Sequence, residues 1–218
     1  MAEQDKVTKE WDAMAGEWDD LATGYATGFI PLLWQETGYA ADDPTSRQDL
    51  IVLDFGCATG LVTERIRHHV ARVIAIDVAP NMMDVLQDKL RAGEWKNVDA
   101  YCGAVAHLEM TNAETKAALQ ALQGKVDIIA ASSVLNFVPD DDMEATMRFL
   151  AGLLKPTTGV LFHTDWPKGA QHPNGFTEEK AMDVYQKGGL TAKTTKLASM
   201  KMGSQNLEVF LGVATKPL

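Results

Sequence analysis

The sequence predicts an α/β fold: a doubly wound, mostly parallel sheet of seven strands with one antiparallel strand, topped by N-terminal cap helices. Three observations carry this. Between residues 50 and 188, five short apolar runs alternate with helical patterns, and such alternation makes a parallel sheet covered on both faces. Two further β-like segments, about 191–200 and 205–215, are joined by "KMGSQ". A short loop with a glycine reads as a hairpin and brings in the antiparallel strand. Finally, a helical segment precedes the first strand and has no place in the sheet.

Each element follows from its local pattern. Residues 5–22 read as one amphipathic helix, with Val7, Trp11, Met14, Ala15, Trp18 and Leu21 at helical spacing. A short second helix is expected over about 28–37, after the glycine-flanked turn "TGYATGF". "ADDPTSRQD" is a polar connector containing Pro44. One domain is expected, with 1–45 as a helical cap and 46–218 as the core. "LIVLDF" is the first strand, followed by a glycine turn and the helix "LVTERIRHHV". "RVIAID" is the second, and "APNMMDVLQDKLRAG" a helix closed by Gly93. "VDAYC" and "VDIIAASS" are the third and fourth strands, separated by the helix "TKAALQALQG". "DDMEATMRFLAGLLK" is a helix, "TGVLFHTDW" the fifth strand, and "TEEKAMDVYQKGG" a helix ended by glycines. Ligands in such sheets sit at the C-terminal ends of the strands. Functional residues should therefore follow Phe55, Ile76, Cys102, Ala131 and Thr164.

Composition narrows the partners. The 218 residues carry a net charge of −10, and the 20 lysines and arginines form no patch. That field repels phosphate backbones, so nucleic acid is not expected. No apolar run reaches membrane-span length, and the charged start "MAEQDKVTKEWD" lacks a signal core. Two cysteines, Cys57 and Cys102, without a CxxC or Cys/His cluster argue against disulfides or zinc and fit the cytoplasm. The oligomeric state is left open.

"VLDFGCATG", residues 52–60, is the informative loop. A phosphate loop needs GxxxxGK[ST], and Leu61 and Val62 follow Gly60 instead. A dinucleotide loop needs GxGxxG, and the middle position is Ala58. A dehydrogenase is therefore a poor reading, although Asp77 alone would permit it. Asp54, just before the turn, would repel a pyrophosphate and attract a cation. Asp77 ends the second strand, where a carboxylate accepts hydrogen bonds from a ribose diol. A cationic nucleoside with a free ribose describes S-adenosylmethionine.

On these residues the chain resembles the class I S-adenosylmethionine-dependent methyltransferases, most closely the small-molecule type that includes the ubiquinone and menaquinone enzymes. The resemblance covers about residues 50–165. It rests on "VLDFGCATG", "VIAIDVAPNMM", "VDIIAASSVLNFVPD" and "LLKPTTGVLFHTD", four motifs in order, with "EWDAMAGEWDDLA" similar to the usual N-terminal start. It implies a Rossmann-like fold and transfer of a methyl group to a small-molecule acceptor, with O- or N-methylation foremost. The alternative is a related cofactor-binding protein with a non-methylating or regulatory role.

The resemblance also implies site roles. The backbone of Gly56, Cys57, Ala58 and Gly60 would hold the methionine moiety, with Asp54 on its ammonium side. Asp77 would bind the ribose. Val78 and Met82 would pack on the adenine, and Ala104 and Val105 would lie at its edge. Ala131 and Ser132 would line the methionine end. Ala104 stands where an acid is frequent, so a backbone carbonyl or His107 would serve there.

The acceptor should lie beneath the cap. Trp18, Tyr25, Phe29 and Trp34 would form an aromatic wall with cation–π character. The competing reading is that these rings dock the cap, which helical spacing favours for Trp11 and Trp18. His163 and Asp165 are two apart on a strand and share a face. They are the candidate catalytic pair, with His163 as base for a hydroxyl or thiol and Asn136 as an orienting group. A satisfied histidine inside the sheet is the commoner outcome. His172 lies in the loop "GAQHPNG", solvated or closing over the site. His68 and His69 would complement a helix dipole. Cys57 and Cys102 read as small filler, and Asp140–Asp142 as a helix start rather than a metal site. No metal is expected.

Overall fold

The computed structural model describes residues 2–39 and 44–217. Its sheet has seven strands in the order β3-β2-β1-β4-β5-β7-β6. They are β1 (Ile51–Phe55), β2 (Arg72–Asp77), β3 (Val98–Cys102), β4 (Ile128–Ser132), β5 (Val160–Asp165), β6 (Thr191–Met202) and β7 (Gln205–Thr215). The first five are parallel, and β7 runs antiparallel to both β5 and β6. The order reverses between β1 and β4, which opens the crevice at their C-terminal ends.

The alternation along each strand builds the two faces. Leu53, Ile74, Ile129 and Leu161 point to one side and pack on α5 (Ala113–Gln120), α6 (Asp140–Leu153) and α7 (Glu178–Lys187). Val52, Val73, Ala130 and Phe162 point to the other. There they meet α2 (Trp18–Thr37) and α3 (Leu61–Ile66), with α4 (Pro80–Gly93) alongside through Met83 and Leu86. Burying both faces explains the nearly unbroken apolar runs in the central strands.

The cap departs from expectation. The helix expected over 5–22 is two helices: α1 (Ala2–Asp12) ends early, and α2 begins at Trp18. The intervening turn buries Ala15 against Ala79 and Met82, a tertiary contact that periodicity cannot report. Nor is "TGYATGF" a turn, because α2 runs through it and through Pro31 to Thr37. Gly28 serves close packing: a Cβ there would lie 2.4 Å from the Lys201 carbonyl oxygen on β6. Gly38, at φ 85°, ends the helix in the left-handed region that glycine tolerates.

Two smaller differences follow. The helix after β1 stops at Ile66, so His68 and His69 lie just beyond it rather than in its last turn. His69 meets Trp34 edge-on at 6.2 Å instead. The connector "ADDPTSRQD" falls partly outside the described residues, and Pro44–Arg47 is a single 3-10 turn. Among the described residues, no helix is long and apolar enough to cross a membrane.

Candidate active site

The segment after β1 folds back on β2. The N–H groups of Gly56 and Cys57 both donate to the Ile76 carbonyl, at 2.9 and 3.1 Å. Gly56 and Gly60 take φ of 72° and 85°. Gly56 must be glycine for a second reason, since a Cβ would sit 2.4 Å from Val134. Ala58 is also left-handed, at φ 48°, which costs an L-residue about 1–2 kcal/mol. Asp77 offsets this strain. Its Oδ2 accepts the Ala58 N–H at 2.8 Å while Oδ1 accepts from Ala79 at 2.9 Å. The acid thus fixes the loop, and each oxygen keeps a lone pair for a further donor. Burial pushes its pKa up.

Asp54 is fully buried. Its Oδ2 accepts from Thr63 Oγ1 at 2.5 Å, and Oδ1 has no hydrogen-bond partner. Desolvation pushes its pKa up to about 7, against the lowering effect of Thr63. Both acids line one cavity of ≈ 400 Å³. An unpartnered carboxylate oxygen there suits a cationic donor, and Asp77 suits a diol. Val78, Met82 and Val105 supply an apolar slot between them and Ala104. The residues present therefore fit S-adenosylmethionine.

The cavity floor lies where the strand-end rule put it. Gly56, Cys57, Ala58, Asp77, Val78, Met82, Ala104, Val105 and Ser132 line it with Asp54. Gly60 does not; it closes the loop by donating to the Cys57 carbonyl at 2.8 Å. Ala131 does not either, since its side chain packs into the core, and Ser133 and Val134 line that end instead. His107 is turned away, with Nε2 2.9 Å from Asp142 Oδ1 on α6, so it is not placed to serve the adenine edge.

The cap aromatics divide. Trp18 and Tyr25 line the cavity, as does Trp11, which meets Trp18 and Phe137 edge-on at 5.3 and 4.9 Å. Phe29 and Trp34 do not. Phe29 is fully buried against Phe162, and Trp34 lies under the Arg47 guanidinium at 4.9 Å, so both dock α2 to the core. Tyr25 OH reaches Ser133 Oγ and lies 2.8 Å from Thr164 Oγ1, latching α2 to the ends of β4 and β5. Burial pushes its pKa up to about 12. A second tie joins cap and loop: Asp19 accepts from Thr59 Oγ1 at 2.5 Å and pairs with Lys89.

The catalytic candidates are brought together, but away from the cavity. His163 is fully buried, with Nδ1 2.8 Å from Asp165 Oδ2 and Nε2 2.7 Å from Tyr185 OH. Phe176 and Phe210 enclose its ring. Asp165 Oδ1 accepts the Asn136 N–H at 3.2 Å, and Asn136 Oδ1 accepts from Lys180 at 3.0 Å. None of His163, Asp165 and Asn136 lines the cavity. Their shared face is the one covered by α6 and α7, so the string ties α7 to the 3-10 turn carrying Phe137. His163 thus faces Asp165 and Tyr185 rather than the cavity.

The remaining sequence candidates also have places. Cys57 is buried with its thiol pushed well up by desolvation, whereas Cys102 is exposed and is not core filler. His172 stacks on Trp166 at 4.6 Å. Asp140–Asp142 open α6. Trp166, Phe137, Ser133 and Met202 line the cavity and were not singled out. Trp166 directly follows β5, so the strand-end rule could have found it.

The sheet order, the glycine loop and the acids at the ends of β1 and β2 are those of a class I S-adenosylmethionine-dependent methyltransferase domain. Residues 52–157 match the methyltransferase domain family, and the chain carries a domain of that class. An uncharacterized methyltransferase of Schizosaccharomyces pombe is 26% identical over 166 residues, covering 75% of this chain and 56% of that protein. A ubiquinone biosynthesis O-methyltransferase of Xanthomonas axonopodis pv. citri is 36% identical over 111 residues, 51% of this chain and 41% of that one. The chain thus spans about half the length of these relatives. Magnesium protoporphyrin IX methyltransferase from Synechocystis PCC 6803, solved with bound S-adenosylhomocysteine, superposes with a TM-score of 0.71 at 15% identity. That likeness covers 99% of this chain and 100% of the other, and it concerns the fold.

Proposed function

We propose that the protein transfers a methyl group from S-adenosylmethionine to a small-molecule acceptor by O- or N-methylation. One observation carries this reading. Asp54 holds an unpartnered buried carboxylate oxygen in the same cavity that Asp77 borders, beneath a wall of cap aromatics. When bound, S-adenosylmethionine supplies an electrophilic methyl on a sulfonium.

The chain's own residues bind, align and exclude water. Asp54 receives the ammonium, and the backbone of Gly56–Gly60 shapes the methionine site. Asp77 accepts the ribose hydroxyls. Val78, Met82, Ala104 and Val105 enclose the adenine, and Ser132 with Ser133 borders the methyl-facing end. Trp11, Trp18 and Tyr25 cover the acceptor. Methyl transfer to a good nucleophile needs alignment more than proton transfer, which fits a cavity without a histidine in its lining. The domain acts as one unit, cap and core together. The net charge of −10 disfavours nucleic acid, and two free cysteines, one exposed, fit the reducing cytoplasm.

The test is titration calorimetry with S-adenosylmethionine and with S-adenosylhomocysteine. The intact protein should bind in the micromolar range, and Asp77→Ala should lose both the ribose contact and the Ala58 clamp, abolishing binding. No binding by the intact protein would sink the proposal.

A further inference from the structure

The acceptor end of the cavity is unusual in what it lacks. Trp11, Trp18, Tyr25, Phe137, Trp166 and Met202 form its walls. Among the described residues, no lysine, arginine or histidine lines any part of the cavity. The titratable groups that do face it are Asp54, Asp77, Cys57 and Tyr25. Both aspartates belong to the cofactor floor, where Asp77 is clamped by two N–H groups. Tyr25 is hydrogen-bonded to Ser133 and Thr164, and its raised pKa keeps it a neutral phenol. Cys57 is likewise held neutral by burial.

Three acceptor classes are separated by this lining. A carboxylate would find no cationic side chain in an apolar chamber, only the cofactor's own sulfonium, and two acids lie nearby, so the protein does nothing to draw it in. A phenol or alcohol must lose its proton as it reacts, and no base is present to take it. A neutral amine needs neither. Its lone pair forms the N–C bond as the C–S bond breaks, and the bonding pair leaves with sulfur as a neutral thioether. Positive charge moves from sulfur to nitrogen, so the total charge in the cavity is unchanged. Any N–H proton is lost later to water. The tryptophans that line the cavity favour a cation both before and after transfer.

We propose that the acceptor is an apolar amine, taken up as the free base between the cap tryptophans and methylated on nitrogen. This rests on the methyl-transfer reading above. It goes beyond that reading in assigning the accepting atom and in excluding carboxylates and hydroxyls.

The test uses three indole probes of similar bulk with S-adenosylmethionine: tryptamine, indole-3-propionate and 5-hydroxyindole. Products are identified by mass spectrometry. Tryptamine should be N-methylated with kcat/KM at least on the order of 100-fold above either other probe, since the lining offers a carboxylate no cationic side chain and a hydroxyl no histidine base. Its kcat/KM should rise about tenfold per pH unit from about pH 7 to about pH 9, following the amine's own ionisation. Trp18→Leu should lower tryptamine kcat/KM about tenfold and Trp18→Phe should restore most of it, both read at saturating cofactor because Trp18 also packs beside Ala58 and Met82. Preferential methylation of the carboxylate or hydroxyl overturns the proposal and leaves methyl transfer standing. So does cofactor binding without turnover of any probe. Failure to bind cofactor at all would instead refute the function proposed above.

Discussion

Replacing Asp54 by Asn should make the folded protein more stable at about pH 8 and its grip on S-adenosylmethionine weaker. The carboxyl is fully buried, has one unpartnered oxygen, and has its pKa raised from 3.8 to about 7. At low pH both folded and unfolded states hold the proton. Between about pH 4 and about pH 7 the unfolded chain loses it while the folded chain keeps it, so stability falls as pH rises. Above about pH 7 the loss is complete, with a ceiling of about 4 kcal/mol for a shift of roughly three units. The Asp54→Asn substitution removes that slope. Asp77 and Asp165 also have raised pKa values, so the comparison of variant with parent isolates Asp54. Urea unfolding of both proteins at about pH 5 and about pH 8 reads the difference. A ligand ammonium reverses the sign by favouring the ionised acid. Binding should release most of a proton near pH 6 and little near pH 8, measured by calorimetry in buffers of different ionisation enthalpy. The variant should bind about 10- to 100-fold more weakly at the higher pH, the worth of a charged hydrogen bond. Unchanged affinity in the variant, or no proton release by the parent near pH 6, would refute the assignment of Asp54 to the ammonium.

Four other substitutions probe the scaffold. Tyr25→Phe leaves Ser133 and Thr164 without their shared partner and should cost about 1–3 kcal/mol in urea unfolding. His163→Gln breaks the string from Tyr185 to Asp165 and should destabilise by about 3 kcal/mol, with cofactor affinity and kcat of the folded protein changed only a few-fold. A collapse of kcat without loss of stability would return His163 to the catalytic list. Gly28→Ala drives a Cβ to 2.4 Å from the Lys201 carbonyl and should lower stability by about 2–3 kcal/mol. Gly24→Ala, which meets Met202 at an ordinary 3.6 Å, should gain up to about 1 kcal/mol of helix propensity; thermal unfolding compares the two.

The sheet and the cofactor floor were legible because their signals are local. Strand runs, glycine punctuation and the acids at strand ends sit within a few residues of one another in "VLDFGCATG" and "RVIAID". The cap was not, because its form depends on partners far along the chain. Ala15 lies in the break between the first two helices and packs on Ala79, and Gly28 lies inside a helix where β6 approaches it closely. The aromatics show the same limit. Helical spacing favours docking for Trp18 and leaves Trp34 open, yet of the two it is Trp18 that lines the cavity. For His163 and Asp165, alternation correctly puts both on one face of β5. It does not say which side of the sheet that face looks to.

Met202 and the cap belong to segments far apart in the chain, yet together they wall the acceptor chamber. Gly24 rests on Met202 and Gly28 on Lys201, so β6 acts as a rail on which α2 is seated. Asp77 makes no use of that rail, and the glycine loop meets α2 at its other end, through Thr59 and Asp19. Side chains on the C-terminal hairpin can therefore change, reshaping the room above by moving α2, while the floor keeps its hold on the methyl donor. In such an arrangement acceptor choice can drift between relatives faster than the chemistry does, and comparing β6 rather than the glycine loop is the way to follow it.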